Sequence, residues 1–140
     1  MKRILVPVDG SETSLRGLRH AAQRARESNA ELHLLHVEPP MAYEELRAYA
    51  LRPELEELRE SACGRVLKAA ADALATENVP HAEHLQHGEV AQVIARFAAA
   101  QSIDEVIMGT RGMGALGSMF LGSVAQRVVH LAAVPVTLVK

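Results

Sequence analysis

Residues 3–8, Arg-Ile-Leu-Val-Pro-Val, form an almost unbroken apolar run with no alternation of polar side chains. A strand of that kind has to be covered on both faces, as a central strand of a parallel sheet is. Four more strand signals follow, at residues 31–37, 82–87, 106–108 and 133–139, and segments of helical periodicity separate them. Strands and helices alternating in this way specify an α/β fold, a five-stranded parallel sheet with right-handed crossovers and helices on both faces. At 140 residues the chain suits one such domain, residues 1–140.

The joints between these segments are legible. Asp9-Gly10-Ser11 is a turn leading into a helix, with Ser11 placed to accept from first-turn amides and Leu15, Leu18, Ala22 and Ala25 repeating along one face. That helix is expected to end before Asn29, and Glu38-Pro39-Pro40 ends the second strand. Residues 41–52 read as a loop or short helix carrying both tyrosines, Tyr43 and Tyr49, packed against the next helix. Pro53 suits a helix start, and the expected buried stripe is Leu55, Leu58, Ala62, Val66, Ala69 and Ala73. Cys63, the one cysteine, reads as a buried small hydrophobe. Gly88-Glu89 starts a helix with Val90, Val93, Ile94 and Phe97 inward, and a last helix places Val124, Val128 and Leu131 on one face.

The chemistry concentrates after the fourth strand. Five glycines fall within fourteen residues, Gly109, Gly112, Gly114, Gly117 and Gly122, and a helix begins near Ser123. Glycines between a strand and a helix expose backbone N–H groups, and the helix N-terminus adds more, so the segment is built to hold an anion such as phosphate. It is no P-loop, because Ser118 stands where that motif needs Lys. Gly112-Met-Gly114-Ala-Leu-Gly117 has dinucleotide-fingerprint spacing, but residues 131–140 lack the acidic residue that the reading requires.

Composition removes other classes. Fifteen Lys and Arg against seventeen Asp and Glu, with a net charge of −2, give no bulk attraction to nucleic acid or anionic membrane. The N-terminal apolar run is too short for a signal peptide core, and none approaches the roughly 18 residues of a span, so a cytoplasmic location is expected. His81, His84 and His87 recur every third residue, as do His33 and His36. In a strand such residues face opposite sides, so no three converge within one element, and no metal site is expected.

Gly109, two residues, Gly112, nine residues and Gly122-Ser123 together resemble the nucleotide-binding signature of the ATP-binding branch of the universal stress protein family. The resemblance extends to Ile4-Leu-Val-Pro-Val-Asp9-Gly-Ser11, Leu34-Leu-His-Val37, Leu121-Gly-Ser-Val124 and Val134-Pro-Val-Thr-Leu-Val139. It implies strand order 3-2-1-4-5, a Rossmann-like arrangement with the ligand crevice between the first and fourth strands. Asp9 would face the ribose and adenine side over Pro7 and Val8, although an Asp before Gly-Ser also serves as a turn cap. Val37 would line the adenine pocket, and Met108 and Gly109 would give backbone and apolar contact. Gly112, Gly122, Ser123 and Val124 would meet the phosphates, and Arg111 would add charge.

The implied function is an ATP-binding, stress-response regulator, with Mg²⁺ carried by the triphosphate and at most slow hydrolysis, because the motif supplies no evident water-activating base. The implied assembly is a homodimer paired through the last strand, open to a further protein partner. Two alternatives use the same fold: a nucleotide-free interaction module and an enzyme acting on a small substrate in the same crevice. Retention of Gly109, Gly112, Gly122 and Ser123 argues against the first.

Overall fold

The computed structural model describes residues 1–110 and 121–140. The elements are β1 (Lys2–Pro7), α1 (Glu12–Ser28), β2 (Ala30–Glu38), α2 (Tyr43–Leu51), α3 (Pro53–Ala73), β3 (His81–His87), α4 (Val90–Ala100), β4 (Glu105–Gly109), α5 (Ser123–Leu131) and β5 (Val136–Val139). All strand pairs are parallel, in the order β3-β2-β1-β4-β5. The central position expected for β1 from its apolar run is therefore found, between β2 and β4.

Successive side chains of a strand point to opposite faces, and here both faces are sealed. Ile4, Val6 and Val8 join Leu32, Leu34 and Ile107 in a core that includes Leu18, Ala21, Ala22 and Ala25 of α1 and Leu67 and Ala70 of α3. Leu5 joins Leu35, Val37, Val106 and Met108 in a second core with Ile94 and Phe97 of α4 and Ala125 and Val128 of α5. Burying one such Leu or Ile side chain contributes about 1.5–3 kcal/mol. The helix joints follow the local chemistry: Ser11 Oγ accepts from the Ser14 amide at 3.2 Å, and Asn29 takes a left-handed conformation that closes α1.

Residues 43–51 form a short helix against α3, as expected, with none of it buried; the Arg59 guanidinium of α3 lies 5.9 Å from the Tyr49 ring centre. Two expectations require correction. The buried side chains of α3 are Cys63, Leu67 and Ala70, with Val66 partly so, while Leu58, Ala62, Ala69 and Ala73 are exposed. The stripe is rotated because it follows the approach of β2, and a helix rich in alanine has little contrast to reveal that face. On α5, Ala125 and Val128 are buried and Leu131 is exposed, because β5 begins beyond that turn and leaves it uncovered. No helix among the described residues is long and apolar enough to cross a membrane.

Candidate functional site

The strand order reverses direction between β1 and β4, and the crevice outside their C-terminal ends is where open α/β sheets take ligands. β1 pairs with β4 through Ile4 opposite Glu105 and Leu5 opposite Val106. Continuing that register sets Val8 level with Gly109 and Asp9 level with Thr110. Val8 is also tied to the neighbouring strand, its amide donating to the Leu35 carbonyl at 2.9 Å. Met108 and Val37 are buried on the α4/α5 side of the sheet.

Two helices begin at this crevice. α1 starts just beyond β1 after a turn in which Gly10 has φ +85°, a conformation costly for other residues. Asp9 Oδ1 accepts from the Ser11 amide at 2.9 Å, so this carboxylate already braces the turn. Ser11, Thr13 and Ser14 form a buried hydroxyl cluster, with Ser11 Oγ and Thr13 Oγ1 3.3 Å apart and the Ser14 hydroxyl donating to the Ser11 carbonyl at 3.1 Å. This cluster, carried by Ser11-Glu-Thr-Ser14, went unread in the sequence beyond Ser11. Its signal was there: three hydroxyls in four residues at a helix start.

α5 begins after Gly122. The Gly122 amide donates to the Thr110 carbonyl at 2.7 Å and is engaged within the chain. Gly122 stands at the N-cap of α5 and has no side chain to cap it. Its first-turn amides, those of Ser123, Val124 and the following Ala125, lack intrahelical acceptors by geometry and stand at the positive end of the helix dipole. Ser123 is exposed, and Val124 packs partly into the second core.

Of the expected site residues, the structure gathers Pro7, Val8, Asp9, Met108, Gly109, Gly122, Ser123 and Val124 around the β1/β4 ends, with Val37 one strand away. Arg111 and Gly112 lie outside the described residues, as do Gly114 and Gly117. Gly109 has a packing reason of its own, since a Cβ there would meet Thr13 at 2.8 Å. Its retention therefore does not discriminate between nucleotide binding and a purely structural use of the fold.

A second constellation was missed because it spans elements. Glu38, at the end of β2, accepts from Arg59 Nε at 3.0 Å and from Cys63 Sγ at 2.9 Å. Burial and the Glu38 carboxylate push the Cys63 thiol up to about 11.

The model of the Universal stress protein family matches residues 1–140. The chain is 38% identical over 140 residues to the Thermus aquaticus protein described as "Universal stress protein in QAH/OAS sulfhydrylase 3'region", covering 99% of this chain and 98% of that one. Its fold is similar to that of universal stress protein UspA from Lactobacillus plantarum, with a TM-score of 0.85, 25% identity and coverage of 99% and 97%. It is also similar to a universal stress protein solved in complex with cAMP, with a TM-score of 0.74, 25% identity and the same coverage of 99% and 97%.

Proposed function

Because the chain belongs to the universal stress protein family, we propose that it is an ATP-binding member, a cytoplasmic nucleotide-dependent regulator of a stress response. The observation that carries this reading is the N-terminus of α5, whose N-cap is a glycine without a capping side chain, at the β1/β4 switch point on the crevice that also holds Asp9. First-turn amides that have no intrahelical acceptor, together with a positive helix end, suit a polyphosphate. Ser123 and Val124 offer those amides, with the Ser123 hydroxyl beside them, and Gly112 and Arg111 extend the set. The Asp9 carboxylate suits ribose hydroxyls, which are donors, and Val37 and Met108 supply apolar surface for adenine. Mg²⁺ would arrive with the triphosphate and neutralise its charge.

The cAMP held by the similar universal stress protein supports an adenine nucleotide. The choice of ATP rests on the glycine spacing 109, 112, 122 with Ser123. Nucleotide would act by population shift, binding one arrangement of the crevice that a partner then reads. A homodimer paired through β5 is part of the same reading.

The test is calorimetric titration of nucleotide-free protein with ATP and Mg²⁺, with Gly122→Val as control. Gly122 has φ −63° and ψ 154°, extended values open to any residue, so the variant adds bulk over the α5 N-terminus without backbone strain. Binding by the parent and its loss in the variant is the expected result. No heat from nucleotide-free parent protein would move the interaction module to first place.

A further inference from the structure

The end of β2 and the second and third turns of α3 bring together three side chains that nucleotide binding leaves unused. His36 Nε2 stands 3.6 Å from Glu38 Oε2, and Cys63 Sγ lies 2.9 Å from that same oxygen. The three donor atoms all lie within 4.8 Å of one another. His36 and Cys63 are buried, and Glu38 is half-buried.

The surroundings orient each donor. His36 Nδ1 is 2.8 Å from the Val8 carbonyl oxygen, which can only accept, so Nδ1 carries the proton and Nε2 turns a lone pair toward Glu38. A backbone carbonyl on the far ring nitrogen is the usual support of a metal-ligating imidazole. Arg59 Nε holds Glu38 Oε1 at 3.0 Å, which leaves Oε2 as the single oxygen offered to the cluster. Arg59 also donates to the Pro39 carbonyl at 3.1 Å, which fixes the guanidinium beside Glu38.

Imidazole nitrogen, thiolate sulfur and one carboxylate oxygen form a donor set for zinc, whereas Mg²⁺ and Ca²⁺ prefer oxygen alone. We propose that His36, Glu38 and Cys63 bind one Zn²⁺ ion, fastening α3 to the end of β2 and leaving a fourth position to water. A tetrahedral ion with ligands at about 2.0–2.3 Å sets them about 3.3–3.8 Å apart. The His36–Glu38 separation already falls in that range, and the Cys63–Glu38 approach opens by less than about 1 Å. Binding replaces the Cys63 S–H bond with a Zn–S bond and releases that proton to solvent. Glu38 and the thiolate together match the charge of the ion. The spacing argument that excluded a metal concerned ligands within one element, and this set crosses from a strand to a helix.

The test uses Co²⁺ as a spectroscopic probe in reduced, chelator-treated, full-length protein without nucleotide. One equivalent should produce a thiolate-to-cobalt charge-transfer band in the near ultraviolet, and Zn²⁺ should abolish it. Cys63 is the only cysteine, so exposed histidines such as His81 and His87 cannot produce that band. Competition with a chromophoric chelator should show Zn²⁺ binding weakened more than about tenfold in His36→Gln and in Cys63→Ser, beyond the lower end of what losing a mere supporting partner costs. No band at stoichiometric Co²⁺ overturns the proposal. So does a band and a Zn²⁺ affinity that persist unchanged in both His36→Gln and Glu38→Gln.

Discussion

Gly109 and Thr13 approach so closely that a Cβ on Gly109 would stand 2.8 Å from the Thr13 carbonyl carbon and 2.9 Å from its Cβ. Gly17 contributes to the same contact, since a Cβ there would meet Gly109 N and Met108 C at 3.3 Å. Two glycines thus let α1 lie against the end of β4, and the crevice depends on that approach. Gly109→Ala is expected to lower unfolding stability by about 1–3 kcal/mol, the range for overpacking a close contact. Gly64→Ala supplies the opposite sign. Nothing lies within 4 Å of its Cβ position on exposed α3, and helix propensity favours Ala by up to about 1 kcal/mol. Urea unfolding of both variants checks the pair, and equal shifts would refute the packing argument.

The sequence made the elements legible wherever apolar runs were long and their ends were marked by Pro, Gly or Asx residues. β1 and α1 are cases, and so is the placing of Gly109 at a strand end. It did not reveal why Gly109 must be glycine, because the contact depends on a helix ninety-odd positions away. Nor could spacing within a strand find His33 beside His84, or His36 and Glu38 beside Cys63. Those pairs follow from register between parallel strands and from the rotation of α3. In α3 itself, Ala62, Ala69 and Ala73 differ too little from Ala70 for periodicity to choose a face.

His84 gives the fold a pH dependence. Its Nε2 lies 3.0 Å from His33 Nδ1, and His33 Nε2 lies 3.0 Å from Glu31 Oε1. The His84 and His33 rings are inclined by only 10°, and the Phe97 ring centre lies 4.7 Å from that of His84. Burial, and then the neighbouring His33, hold His84 below its ordinary 6.5. As pH falls through 6.5 the unfolded chain takes up a proton that the folded one refuses, so stability should drop just below that pH. Each unit of separation corresponds to about 1.4 kcal/mol. Glu31, held low by its bond to His33, loses its contribution only below 4.5, so the two windows are distinct. Melting temperatures between about pH 7.5 and 5.5 should fall less steeply in His84→Gln than in the parent; identical slopes would sink the assignment.

Ser11 sets where α1 starts. Its hydroxyl accepts from the Ser14 amide at 3.2 Å and lies 3.3 Å from Thr13 Oγ1. Ser11→Ala should cost about 1 kcal/mol, within the 0.5–2 kcal/mol range for lost caps, and toward its upper end because the site is buried. Hydrogen exchange should localise the loss to first-turn amides of α1. A uniform change across the sheet would point instead to a packing defect.

β5 stands at the edge of the sheet, and its outer backbone groups decide whether two chains pair there. The Pro135 and Val139 carbonyls accept from the Val106 and Thr110 amides at 2.9 Å, so residues 135, 137 and 139 turn their polar groups toward β4. Val136 and Leu138 then present theirs outward, as alternation along a strand requires. Val136→Pro deletes one outward N–H and leaves the bonds to β4 in place, so it should disrupt pairing between chains more than folding. Light scattering at micromolar concentration should report about twice the 15.1 kDa chain mass for the parent and a smaller mass for the variant. A parent already at the mass of one chain would remove the dimer from the proposed function. A variant that stays dimeric would move the interface away from β5, to a face such as exposed α2, where Tyr43, Leu46 and Leu51 lie open.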